Sequence, residues 1–176
     1  MPKIYMKISY IPGYGTKYSR NQNIIKGLKS QNVDLRVYGS SSKSVLIRLV
    51  SAYFKFVFRR KRDEDLVIVG FIGQPLVILL KPFIKTKLVL DAFFSVYDTM
   101  VFDKKKVKPG SLLGKFFFWL DKRACELSDI VLLDTNEHIN YFSKTFFISK
   151  NKFRRLFVGS DDSLFFPKKH ISNKHL

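Results

Sequence analysis

Apolar residues in this chain fall into short blocks separated by stretches of helical period. Blocks near Ile4–Ser9, Val33–Tyr38, Leu66–Phe71, Lys87–Asp91, Asp129–Asp134 and Phe153–Val158 are rich in branched and aromatic residues, the composition that suits strands. Leu66-Val67-Ile68-Val69 is apolar without interruption, as expected of a strand buried on both faces. Between the blocks the spacing predicts helices over Arg20–Ser30, Ser44–Arg60, Ser111–Leu127 and Asn136–Phe147, with a short one near Pro75–Lys81. This alternation predicts an α/β domain: right-handed crossovers and a mostly parallel sheet of about six strands, with helices on both faces. The one long connection, Phe102–Pro109, carries Lys104, Lys105, Lys106 and Lys108.

The stretch Lys43–Arg62 departs from an ordinary amphipathic pattern. Ser44, Arg48, Ser51, Lys55, Arg59 and Arg62 recur at steps of four and three, which gathers them into one narrow stripe. Nearly everything else is Val, Leu, Ile, Tyr or Phe, and Arg59-Arg60-Lys61-Arg62 closes the segment. Two readings fit. In one, the helix packs on the sheet and the stripe is its solvated face. In the other it is interfacial, with aromatics in the acyl boundary and Arg48, Lys55, Arg59, Arg60, Lys61 and Arg62 facing anionic headgroups.

Composition narrows the classes. The 176 residues fit one domain, and a hydrophobic content of 46% excludes a disordered basic tail. A formal charge of +18 points to a polyanionic neighbour without choosing among nucleic acid, an anionic membrane and phosphate-bearing ligands. A lone Cys125 rules out an internal disulfide and multi-cysteine zinc patterns, and two of the three histidines, His170 and His175, lie in a polar tail. No metal site is therefore expected. No stretch approaches the ~20 apolar residues of a membrane span, and the N-terminus lacks a signal-peptide core. A reducing, cytoplasmic setting is expected. The aromatics follow core-like periods, which argues against a nucleic-acid partner.

Candidate chemistry gathers where strands end. After the first comes Ile11-Pro12-Gly13-Tyr14-Gly15-Thr16-Lys17. Tyr18 stands where a dinucleotide fingerprint needs its third glycine, and the tip Val37-Tyr38-Gly39 has no carboxylate for a ribose. NAD and S-adenosylmethionine are disfavoured, and no Walker loop is present. Gly13, Tyr14, Gly15 and Thr16 then form either a loop whose N–H groups approach a phosphate or sugar, or a simple turn. Asp91 and Asp98 fit a general base and an acceptor of substrate hydroxyls, or equally caps and turns. Asp134 and Thr135 precede the helix at Asn136 and read first as capping residues. His138, on its first turn, is a surface residue or a phosphate or sugar contact. Asp121 is expected to pair with a cation on its own helix.

Several segments in order, Ser19-Arg20-Asn21 with Gly27-Leu28, Val69-Gly70-Phe71-Ile72-Gly73-Gln74, Leu90-Asp91 through Asp98-Thr99, Leu120-Asp121-Lys122-Arg123-Ala124, Ser128-Asp129 through Asp134-Thr135, and Val158-Gly159-Ser160-Asp161 with Phe166-Pro167, resemble the N-terminal domain of glycosyltransferases built from two Rossmann-like domains, similar to family four retaining enzymes. The resemblance implies a single Rossmann-like acceptor-side domain over 1–165, with 166–176 opening an interdomain linker. It implies sugar transfer from a nucleotide-sugar donor, without a bound metal, to a lipid-linked or polysaccharide acceptor at the inner membrane face. Asp91 would be the tentative catalytic group, with Gly13–Thr16, Ser95, Asp98, Thr99, Asp134, Thr135 and His138 around acceptor or phosphate. Donor-binding domains of such enzymes carry two glutamates separated by seven residues. Glu64, Glu126 and Glu137 make no such pair. The donor half is therefore expected in a separate or missing domain, and this domain alone is expected to bind no cofactor and to show little transferase activity. The alternative is a non-catalytic, membrane-associated partner of a split transferase.

Overall fold

A computed structural model describes residues 5–159. Six strands, β1 (Lys7–Ile11), β2 (Asp34–Val37), β3 (Leu66–Val69), β4 (Lys87–Phe93), β5 (Ile130–Leu133) and β6 (Phe153–Arg155), form one all-parallel sheet in the order β2-β1-β3-β4-β5-β6. Helices α1 (Ser19–Ser30), α2 (Val45–Arg59), α3 (Gln74–Leu80), α5 (Leu112–Leu127) and α6 (Asn136–Phe146) make the crossovers. A short α4 (Val96–Asp98) runs into a π-helical turn over Thr99–Asp103 before α5. Local chemistry sets several starts: Pro75 lies in the first turn of α3, and the Ser111 and Thr135 side chains accept from Gly114 N and His138 N to cap α5 and α6. Phe147 closes α6 in the left-handed region, φ 58°.

The strand order decides where the helices go. The chain steps from β1 outward to β2, returns past β1 to β3, and thereafter always moves the same way. Right-handed crossovers then put α1 on one face and α2, α3, α5 and α6 on the other. The core divides accordingly. On the crowded face Ile11, Val69, Leu90 and Leu133 pack with Phe56, Leu80, Cys125 and Phe146. On the other, Ile8, Tyr10, Ile68 and Val89 meet Ile24, Ile25 and Leu28 of α1. An apolar groove of about 470 Å³ runs beside α1, floored by Ile68 and Leu132 and edged by Leu156 and Phe157.

The Rossmann-like expectation holds, with shifts at element ends. The first strand runs on to Ile11, past the expected end at Ser9, because pairing of Ile8 with Leu66 and Ile11 with Val69 draws the fully buried Ile11 into the sheet; the expected start at Ile4 lies outside the described residues. The predicted loop at Phe102–Pro109 is partly ordered: its first two residues finish the π turn, and Lys106 N and Val107 N donate to the Met100 carbonyl. The predicted linker at 166–176 lies outside the described residues. No described helix is long and apolar enough to cross a membrane.

Candidate functional site

In this strand order the connections leave β1 and β3 toward opposite faces, which opens a crevice at their carboxyl ends, the place where open α/β sheets hold ligands. The two loops there are in direct contact. Tyr14 N donates to the Phe71 carbonyl at 2.8 Å, and a Cβ on Gly13 would lie 2.4 Å from the Ile72 carbonyl oxygen. Only glycine permits that approach. Ile72 (φ 58°) and, at the end of β4, Phe93 (φ 64°) are both left-handed, a rare state for side chains of this bulk that the surrounding packing must hold in place.

At the crevice, half-buried rings pack around the buried Phe71. Tyr18 stacks on Phe71 at 4.9 Å between centroids, and Phe94 meets Phe71 edge-on at 4.9 Å. Tyr14 lies 5.8 Å and Phe93 5.4 Å from the same ring. Beneath them Arg20 grips Asp91 with two parallel bonds, Nη2 to Oδ1 at 2.7 Å and Nε to Oδ2 at 2.8 Å. The guanidinium also lies 4.4 Å under the Phe93 ring. Asp91 is 0% exposed. Burial pushes its pKa up and the Arg20 guanidinium pulls it back, so this carboxylate acts as an internal anchor for α1. Asn21 completes the frame, accepting from Tyr10 Oη and donating to the Gly15 carbonyl, both at 2.8 Å.

The loop after β4 is held from α5. Ser95 Oγ donates to Asp121 Oδ2 at 2.7 Å while accepting from Asp98 N, and Tyr97 N and Gln74 Nε2 donate to the same carboxyl group. Asp121 therefore pairs with no cation; its partners are neutral donors from α3 and the β4–α4 turn, because its position on α5 faces the sheet. Thr99 Oγ1 donates to the Ser95 carbonyl, so both hydroxyls are engaged in holding this turn. Asp98 stays half-buried on α4. At the tip of β5, Asp134 Oδ1 lies 2.5 Å from His138 Nδ1, and the imidazole is 40% exposed. Thr135 caps the helix between them.

A polar hollow of about 240 Å³ lies between the loop after β1 and the serine run after β2. Gly15, at φ 103°, sits against the Arg48 side chain there, and Thr16 Oγ1 lies 3.5 Å from Ser41 Oγ. Along α2 and the basic cluster after it, the cations predicted to face a membrane divide. Arg48 donates to the Ser42 carbonyl, Lys55 to the Gly39 carbonyl and Arg60 to Glu64, whereas Arg59, Lys61 and Arg62 face solvent. Arg62 lies beyond the end of the helix. The outward face is apolar: Leu46 is 70% exposed and Phe58 75%, with Ile47, Val50 and Phe54 also exposed.

The predicted acceptor- and phosphate-site residues thus lie at the carboxyl edge of the sheet, around Gly13–Thr16, Ser95–Thr99 and Asp134–His138 with Asp91 buried beneath, whereas the predicted membrane-facing Arg59, Arg60, Lys61 and Arg62 lie at the far end of α2. Arg20, Phe71, Gln74 and the Ser40–Ser42 run take part without having been singled out. Arg20 and Phe71 stood in the motif segments, but neither their spacing nor their type announced the partners they reach across the sheet. Among the described residues no group of His, Cys, Asp and Glu could hold a metal ion. No protein-family model matches this sequence, and no curated protein matches it.

Proposed function

We propose that this chain is the acceptor-side lobe of a glycosyltransferase that uses a nucleotide-sugar donor, working at the cytoplasmic face of an anionic membrane on a lipid-linked or glycan acceptor. The observation that carries the reading is the aromatic platform at the β1/β3 crevice. Ring faces suit the apolar faces of a sugar, and the polar groups at the rim suit its hydroxyls and phosphates, the usual division of labour in a ligand site. The Gly13–Thr16 loop borders it on one side, and the exposed His138 imidazole, beside Asp134, stands at the tip of β5. Donor binding belongs in this proposal to a separate lobe, in keeping with the missing glutamate pair. The apolar outer face of α2, ending in Arg59, Lys61 and Arg62, supplies the membrane contact.

One observation favours a lobe that binds rather than catalyses: both oxygens of Asp91 are occupied by Arg20 and the group is fully buried. Asp91 then positions α1 and the loop above it, and the chemistry depends on the partner lobe. The test is an NMR titration of the 15N-labelled full chain. A polyprenyl-phosphate-linked saccharide in bicelles should shift the amides of Gly13, Phe71, Phe94 and Thr99, and nucleotide sugars or an oligonucleotide should leave them in place. Tight binding of an oligonucleotide, or no response to any saccharide-bearing ligand, overturns the proposal.

A further inference from the structure

The hollow between the β1–α1 loop and the β2–α2 loop has a composition unlike the rest of the carboxyl edge. Its walls carry two cations, Lys17 and Arg48, and three consecutive hydroxyls, Ser40, Ser41 and Ser42, together with Tyr14 and Tyr18 and no carboxylate. Lys17 is exposed and makes no hydrogen bond or ion pair among the described residues. Arg48 is held in place from two sides: its guanidinium lies 4.3 Å over the Tyr14 ring, and Nη1 donates to the Ser42 carbonyl at 3.1 Å. Its Nε is buried without a partner. A buried guanidinium N–H left unpaired is costly and calls for an acceptor. The serine run is shaped rather than loose, since Ser42 N lies 3.3 Å from Ser40 Oγ and Ser44 N 3.3 Å from Ser42 Oγ.

We infer that this hollow is a phosphate-binding site, in which Lys17 and Arg48 neutralise a phosphate group and Ser40–Ser42 donate hydrogen bonds to its oxygens. Four lines converge on an anion: fixed positive charge, a hydroxyl cluster, an orphaned buried donor and the absence of any carboxylate. A guanidinium preorganised by stacking matches the fork geometry of phosphate oxygens. The site extends the ligand loop of the proposed function to residues on the far side of that loop, and it rests on that reading only for the source of the phosphate. The source is a lipid headgroup or a soluble phosphate ester. Leu46, Ile47 and Val50 are exposed on the same first turns of α2 that carry Arg48, so the experiment has an arm for each source.

The test uses the full chain and inorganic phosphate, with chloride at equal ionic strength as the control. Saturable shifts of the Gly15, Ser41 and Ser42 amides are expected with phosphate alone, weakened about tenfold by Arg48→Gln and by Lys17→Gln, the loss that one charge-assisted hydrogen bond implies. Lys17 is a surface residue, so its variant reports binding free of any folding defect at Arg48. Shifts that match the chloride control, or that survive both substitutions, overturn the site. Flotation with vesicles of phosphatidylcholine containing phosphatidic acid then separates the sources. A tenfold drop in partition for Lys17→Gln assigns a lipid headgroup, and unchanged partition beside intact binding of free phosphate assigns a soluble ester. Phosphate binding without any response to saccharide ligands would leave this site standing and remove the transferase reading.

Discussion

Asp121 offers a quantitative test of how the β4–α4 turn is held. Its carboxyl is 0% exposed and is met only by neutral donors, Ser95 Oγ at 2.7 Å, Tyr97 N at 2.9 Å and Gln74 Nε2 at 3.2 Å. Burial pushes its pKa up to about 6, against the lowering effect of those bonds, from 3.8 for an ordinary aspartate. Between these two values the folded chain binds the proton that the unfolded chain releases. The contribution to stability is therefore fully present below pH 3.8, declines as pH rises toward about 6, and is lost above it. At 1.36 kcal/mol per pH unit the loss is about 3 kcal/mol.

Gln74 Oε1 is buried without a partner, and turning that amide over would let a protonated Asp121 donate to it. Asp121→Asn fixes the neutral state, with Nδ2 donating to Gln74 and Oδ1 accepting from Ser95 and Tyr97. Urea unfolding followed by the single tryptophan, Trp119, at pH 4 and pH 7 measures the effect. The variant's stability relative to the parent should improve by about 2 kcal/mol between the two values, since part of the loss already falls below pH 4. A difference constant within about 0.5 kcal/mol across that range would refute the reasoning.

Arg20→Met strands the Asp91 carboxylate in the core and should cost about 3–5 kcal/mol, with much of it recovered in Arg20→Met/Asp91→Leu; calorimetry of both variants checks this, and a single-variant loss below about 1 kcal/mol contradicts it. Gly13→Ala forces backbone apart, since the added methyl would stand 2.4 Å from the Ile72 oxygen; a loss of about 1–3 kcal/mol with an altered near-ultraviolet dichroism from the Phe71 cluster is the expected outcome. Phe54→Ser with Phe58→Ser removes rings that are 51% and 75% exposed, so stability should move by only about 0.5 kcal/mol per site while flotation on anionic vesicles falls sharply. Unchanged flotation would remove α2 from the membrane contact.

The layer pattern was readable because burial follows period. Continuous apolar blocks such as Leu66-Val67-Ile68-Val69 became central strands, and Asn136–Phe147 became α6 to within a residue. Ends were less readable. β6 stops at Arg155, two residues before Phe157, because side-chain type does not encode how far a neighbour's backbone extends. At the site, periodicity marked Asp91 as a strand-tip polar residue but not its partner, Arg20, which lies 71 positions earlier and reaches it only across the folded sheet. The same blindness sent Asp121 to a cation on its own helix. Phe71 is core, as its strand-like block suggests, but nothing in its type announced the half-buried Tyr14, Tyr18, Phe93 and Phe94 that gather around it.

The organisation of α2 departs from that of an ordinary sheet-packed helix. A helix packed on a sheet normally turns its polar positions outward, and here the cationic stripe is instead partly folded inward. Arg48 and Lys55 each bond the carbonyl of a neighbouring loop, while Leu46, Ile47, Val50, Phe54 and Phe58 face out. Those rings and branched chains gain nothing from water, which is why the proposed function gives this face the membrane contact. On the proposed reading the exposed cations at the end of the helix, Arg59, Lys61 and Arg62, contribute on the order of 1 kcal/mol each at an anionic bilayer, a part that salt screens within about 10 Å at 0.1 M. The apolar part is insensitive to salt. Membrane attachment through this face should therefore weaken only in part as salt rises toward ~1 M, where the screening length is about 3 Å. A purely electrostatic polyanion binder loses affinity by orders of magnitude over a far smaller rise.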